Sequence, residues 1–209
     1  MSHDDFATEP VRGLPERPPE GEEILWQGQP SAWALTRSAF AFWWVMGYFA
    51  LLAAWRFLAS VDLVPLGQAI GITIPIFAMA AVAGLLFWLI ALVQARLTVY
   101  TVTNRRVAMR IGAALTVTLN LPYQKIESAD LDLRKDGTGT IALSLLGETR
   151  FAYLMCWPHV RPWKFPTQPA LRCIPDAERV AGLIAEAAQA RVSVPRVERR
   201  DNVVALPAE

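Results

Sequence analysis

Cysteine and histidine are scarce in this chain, and over one long stretch so is charge. Two cysteines among 209 residues are too few for a small fold stapled by disulfides. Two histidines, His3 and His159, leave little material for histidine-based metal or acid–base chemistry. No P-loop and no G-x-S-x-G nucleophile motif occur in the sequence, so phosphate-loop nucleotide binding and the serine-hydrolase elbow are excluded. Between residues 38 and 95 only Arg56 and Asp62 are charged, which excludes a wholly soluble domain. The flanks carry an ordinary density of charge, which excludes a transporter whose spans fill the chain.

The near-neutral total, +1 at pH 7, hides a partition. Residues 1–37 hold seven acidic and three basic groups, whereas residues 96–209 have a modest basic surplus. That surplus suits an anionic membrane face and is too dispersed for nucleic acid. Asp4, Asp5, Glu9, Glu16, Glu20, Glu22 and Glu23 are interleaved with Pro10, Pro15, Pro18 and Pro19. An acidic, proline-rich front lacks the basic start and early apolar run of a secretory leader. Residues 1–37 are therefore expected to form an extended cytoplasmic segment, free to repel or dock a basic surface.

Residues 38–95 are expected to form a transmembrane hairpin with spans over 38–58 and 70–92. Trp43, Trp44 and Trp55 sit near the ends of the first span, as an aromatic belt requires, and Arg56 can snorkel. LVPLGQA (63–69) reads as the connecting loop, and Pro75 falls inside the second span. Gly67 with Gly71, and Ala80 with Gly84, are small-xxx-small pairs that let helix backbones approach. They suit packing within the hairpin, a foreign helix, or a homodimer. Arg37 before the first span, and Arg96, Arg105, Arg106 and Arg110 after the second, outweigh the loop in basic residues. Both termini are thus expected in the cytoplasm.

Beyond residue 96 the apolar period changes from helical to about two. Strands are expected at 97–103, 105–112, 115–121, 125–133, 140–146 and 149–155, with Asp136-Gly137 as a hairpin turn. Residues 157–174 are proline-rich and read as a loop with one short edge strand at 170–174. A helix over 175–190 carries Val180, Leu183, Ile184 and Ala187 on one face, and 191–209 reads as a flexible tail. The expected architecture is α+β: the hairpin, then an antiparallel barrel or sandwich over 96–190 capped by the C-terminal helix.

YTVTNRRVAMRIG (100–112), LPYQKIESADL (121–131) and GTGTIAL (137–143) resemble the core pattern of bacterial pleckstrin-homology (PH) domains. EEILWQGQPS (22–31) is similar to the segment before the membrane helices of anchored members. LMCWPHVRPWKF (154–165) and QPALRCIPDAERVAGLI (168–184) more narrowly resemble PuhB, a photosynthetic complex assembly family of purple bacteria. That resemblance implies an inner (intracytoplasmic) membrane protein that helps build the reaction centre and its light-harvesting 1 ring. Its implied partners are reaction-centre subunits and light-harvesting 1 polypeptides, met within the lipid bilayer. The alternative is a membrane-anchored PH-like module for lipid or peptide, without a photosynthetic role.

Neither expected span contains a histidine, the commonest axial ligand of tetrapyrroles, so no bound pigment or other cofactor is expected. Cys156, His159 and Cys173 give three ligands where structural zinc takes four, and two reduced thiols are the better account. No enzyme activity is expected. Trp157, His159, Arg161 and Trp163, in the proline-rich loop, are the candidate partner-binding residues, because aromatics and arginine dominate interface hot spots. Packing of Trp157 and Trp163 over the barrel's open end is the competing role. Arg96, Arg105, Arg106 and Arg110 are candidate membrane-surface cations.

Overall fold

The computed structural model describes residues 10–112, 116–147 and 151–192. Its elements run β1 (Ile24–Gly28), α1 (Ala32–Ala39), α2 (Phe42–Val61), α3 (Leu66–Leu97), β2 (Val99–Thr103), β3 (Arg106–Ile111) and β4 (Val117–Pro122). A single 3-10 turn (Tyr123–Lys125) leads to β5 (Ile126–Leu133), β6 (Gly139–Leu145), α4 (Tyr153–Cys156), β7 (Ala170–Ile174) and α5 (Ala177–Val192). Two antiparallel sheets, β1-β2-β3-β4 and β5-β6-β7, face one another. Tyr100, Met109, Ile141, Leu143 and Leu171 fill the space between them. Helix α5 closes this core with Ala177, Val180, Ile184 and Ala187, the periodicity of a single helix face.

The first sheet draws strands from both sides of the hairpin. β1, inside the segment read as an extended acidic tail, pairs with β2 through Trp26↔Val102, Gln27↔Thr101 and Gly28↔Tyr100. The chain therefore leaves the sheet at Gly28 and re-enters it at Val99. The boundaries at 37 and 96 separate segments that fold together.

Residues 32–97 hold three helices where the sequence suggests two spans. Ser31 caps α1, its hydroxyl accepting from the Ala34 amide at 3.5 Å, and Ala34 and Leu35 pack on Ala91 of α3 and Cys173 of β7. Ala41 then adopts a left-handed conformation, φ 51°, which breaks the helix and starts α2. The first apolar helix thus begins at Phe42, not 38. Helix α3 starts at Leu66, inside the expected loop, and continues through Pro75 to Leu97, so only residues 62–65 connect it to α2. Both long helices are apolar and long enough to cross a membrane, and only 6% of each one's most apolar stretch is buried. At 1.5 Å per residue α2 is about 30 Å long and α3 about 48 Å, against a hydrocarbon core of about 30 Å.

One further expectation changes. The strand placed at 149–155 is not formed: Tyr153–Cys156 are the helical turn α4, and 149–150 lie outside the described residues. The alternation in FAYLM satisfied a strand template that a single helical turn also satisfies. Residue 115 of the third expected strand, and 193–209 of the expected tail, also lie outside the described residues.

A buried chain of hydrogen bonds joins α3 to the β domain. The Thr98 hydroxyl donates to the Gln94 carbonyl at 2.7 Å, so it accepts from His159 Nε2–H at 3.1 Å. Nδ1 then accepts from the Tyr100 hydroxyl at 2.6 Å, which in turn accepts from the Arg172 amide at 3.3 Å. The donor count alone assigns the neutral Nε2–H tautomer. Burial, with Arg172 nearby, depresses the His159 pKa from 6.5 to about 3.

Two stability predictions follow from this packing. Below pH 6.5 the unfolded chain protonates His159 while the folded chain does not until about pH 3. The contribution is therefore complete above pH 6.5 and is lost as pH falls, at up to about 1.4 kcal/mol per pH unit. Denaturant unfolding at pH 7.5 and 5.5 should show this loss, and His159→Gln should flatten it while lowering stability at pH 7.5. Second, a Cβ on Gly139 would fall on the Cβ of Ala177 in α5, 3.1 Å from the Asp132 carbonyl. Gly139→Ala should destabilise by about 1–3 kcal/mol, read as a lowered melting temperature.

Candidate functional site

The proline-rich loop divides between core and surface. His159 is fully buried, with both ring nitrogens used by Thr98 and Tyr100, so it touches no partner and offers no lone pair to a metal. This corrects its place among the contact residues. A histidine between a cis proline and a valine gave the sequence no mark of burial. Trp157 is partly covered, its ring edge-to-face with Phe40 at 5.1 Å. Phe40 in turn stacks on Phe87 of α3 at 6.0 Å. Trp157 therefore packs against the helical seam and not over the barrel's end. Arg161 donates to Asp130 at 2.7 Å, an exposed pair of small energetic weight.

Trp163 does face outward, 91% exposed with φ 56°. The loop also exposes Phe165 (71%), and α4 exposes Leu154 (88%) and Met155. The Tyr153 and Phe165 rings lie 5.7 Å apart on the wall of a groove of about 850 Å³ that reaches Glu127, Ser144 and Gln168. Exposed apolar side chains on the segment that walls a polar-rimmed groove are a mark of an interaction surface. Leu154 and Met155 were missed because residues 149–155 read as a strand, and Phe165 because the hot-spot reading of the proline-rich loop rests on its tryptophans and arginine.

The four basic residues do not share a surface. Arg96 is exposed at the end of α3. β2 then carries the chain about 16 Å away before Arg105 and Arg106 appear at the β2–β3 turn. There the acidic N-terminal segment holds them. Arg106 forms a two-pronged pair with Glu22 at 2.8 and 3.1 Å, and Arg105 donates to the Glu20 carbonyl at 3.0 Å. Arg110 returns to the level of Val99 but is buried. Proximity in sequence to a span does not survive one strand of travel.

The small residues also divide. A Cβ on Gly84 would meet Phe42 at 3.3 Å, so Gly84 lets α2 approach α3. Ala80 is half-buried on the same helix. A Cβ on Gly67 or Gly71 would meet nothing within 4 Å, so neither glycine is needed for a close approach within the hairpin.

Reactive chemistry is muted. Burial pushes the Cys156 thiol up, away from the thiolate that nucleophilic attack needs. It does the same to the Tyr100 and Tyr123 hydroxyls. Among the described residues no three His, Cys, Asp or Glu side chains converge as a metal site.

The sequence matches the family described as "Bacterial PH domain" over residues 40–188. It is also 46% identical over 204 residues to the "Uncharacterized 23.7 kDa protein in puhA 5'region" of Rhodobacter capsulatus, covering 94% of each chain. No solved structure matches. The 4+3 sheets, the closing helix α5 and this match agree: the chain belongs to the bacterial PH domain family and shares a family with the Rhodobacter capsulatus protein.

Proposed function

We propose that this protein is a non-catalytic, membrane-bound assembly factor for the photosynthetic reaction centre and its light-harvesting 1 antenna, binding their subunits transiently. The observation that carries the reading is the exposed apolar surface of residues 154–165, presented by a rigid barrel beside two outward-facing apolar helices. Supporting it are the PuhB resemblance of that same segment and the relative encoded 5' of puhA in a photosynthetic bacterium. In this reading α2 and α3 cross the inner membrane. β1–β2 pairing favours both termini on one side, since strands flanking the hairpin meet in one sheet. Arg37 and Arg96 favour the cytoplasmic side. The helices meet the spans of subunits in the bilayer, while Trp163, Leu154 and the groove beside Phe165 hold a cytoplasmic face.

Deleting the gene should lower reaction-centre and light-harvesting 1 levels in cells induced to make photosynthetic membranes, measured by absorbance of the membrane fraction. Unchanged levels would sink the proposal. A mild-detergent pull-down of the tagged protein should recover reaction-centre or light-harvesting 1 subunits by mass spectrometry. Because both side chains are exposed, Trp163→Ser combined with Leu154→Ser should leave the melting temperature unchanged. It should cut recovery about thirtyfold, the loss expected for a hot spot of about 2 kcal/mol. Recovery that survives the double substitution would move the contact elsewhere.

A further inference from the structure

We propose that the crevice between α1, the β5–β6 turn and β7 binds the phosphate of an anionic lipid. Arg172, in the middle of β7, is only 4% exposed. Its Nη1 donates to the Pro158 carbonyl at 3.1 Å and its Nη2 to the Ser38 hydroxyl at 3.4 Å, while Nε is buried with no acceptor. Among the described residues no carboxylate pairs with it. Across the crevice Arg134 donates one Nη2 hydrogen bond, to Thr140 at 3.1 Å, and its Nη1 is also buried without a partner. The two guanidiniums repel, and burial together with that repulsion pulls the Arg172 pKa down. A buried cation without a counter-charge is costly. Arg172, buried, and Arg134, half-exposed, line one hollow, and with one unpartnered nitrogen each they are organised for an anion accepting from both.

The shape and place of the hollow indicate which anion. It has a volume of about 490 Å³ and is lined by Ser38, Asp130, Asp132, Arg134, Arg161 and Arg172 among others. Asp130 is paired with Arg161, and Asp132 remains on the wall. The lining thus carries a surplus of one positive charge, which suits a singly charged phosphodiester better than a dianion. Guanidinium forks match phosphate oxygens in geometry. Ser38 stands four residues before Phe42, where the first long apolar helix begins. The adjoining hollow is walled by Trp43, Arg37 and Lys135. The crevice therefore opens at the level where the chain enters its apolar helices, the level of lipid headgroups if these helices cross the bilayer.

The inference rests on that membrane reading, and the experiment separates the two. The full-length protein, in mild non-ionic detergent, is examined by native mass spectrometry after addition of phosphatidylglycerol, phosphatidylcholine or inorganic phosphate. One phosphatidylglycerol per chain should be retained at least tenfold over phosphatidylcholine, and millimolar phosphate should not displace it. Arg134→Gln, at a half-exposed position, should cut retention about tenfold without lowering the melting temperature. Arg172→Lys, which keeps the charge, should lose less. Equal retention of the two lipids, or no effect of Arg134→Gln, overturns the proposal. Displacement by inorganic phosphate overturns the lipid assignment in favour of a soluble anion. Release of the protein from membranes by alkaline carbonate would instead refute the spanning helices, whatever the detergent result.

Discussion

The pairing of β1 with β2 is the constraint from which the arrangement of the whole molecule follows. These strands flank residues 29–98, yet they lie side by side with Trp26 opposite Val102 and Gly28 opposite Tyr100. Everything between must leave the sheet and return to it. A single long helix ends far from where it starts, whereas two antiparallel helices return the chain within about one helix diameter. The sheet thus demands an even number of long helices, and the hairpin supplies two. The interleaving also explains why a domain with a basic surplus carries an acidic front: Glu22 is buried against Arg106 at the β2–β3 turn. That ion pair fixes the segment in which β1 lies.

The second consequence concerns rigidity. Because α3 exceeds a bilayer's apolar thickness by about 18 Å, its last turns need cover. Helix α1 provides it, with Leu35 and Ala34 against Ala91 and the Ser31 amide bonded to the Cys173 carbonyl at 2.8 Å. The Gln94–Thr98–His159–Tyr100–Arg172 chain secures the same seam from the other side. Such a network fixes one geometry, because each member has a single compatible hydrogen-bond role. The barrel is therefore held to the helix end by two elements, and it does not hang from a linker. Trp157, edge-on to Phe40, belongs to this clasp.

The sequence made the fold class legible wherever one period persisted. The apolar run after residue 42 is helical throughout, the β-branched strands β2 to β6 keep a period of two, and the amphipathic α5 buries one regular face. It failed where a short element borrows its stability from elsewhere. β1 is five residues among acids and prolines, and it is a strand only because β2 offers it an edge. α1 is eight residues, below the length at which a helix stands alone, and it shares apolar character with the span that follows. α4 mimics a strand over four residues. The candidate site was legible in its location but not in its membership. Trp163 is where an anchor should be, while His159 turned inward because Thr98 and Tyr100, sixty residues earlier, complete its hydrogen bonds. The cationic crevice left a sequence signal that periodicity could not use: Arg172 interrupts the apolar strand ALRCI.

These features together give the exposed surfaces distinct places in the molecule. The outward faces of α2 and α3 are apolar along their length, with Leu51, Leu58, Ile74 and Leu85 more than half exposed. The Arg134–Arg172 crevice lies beside Ser38, at the junction between helices and barrel. The groove by Phe165 lies toward the other end of the β5–β6 hairpin, near Glu127 and Leu145. A barrel clasped to α3 at the seam keeps the junction and the groove at a fixed separation along the same hairpin. In the proposed reading, a partner seated at Phe165 and Trp163 would be held at a set height above whatever the helices contact. That is the property a transient scaffold needs: it fixes the relative position of two surfaces without reacting with either.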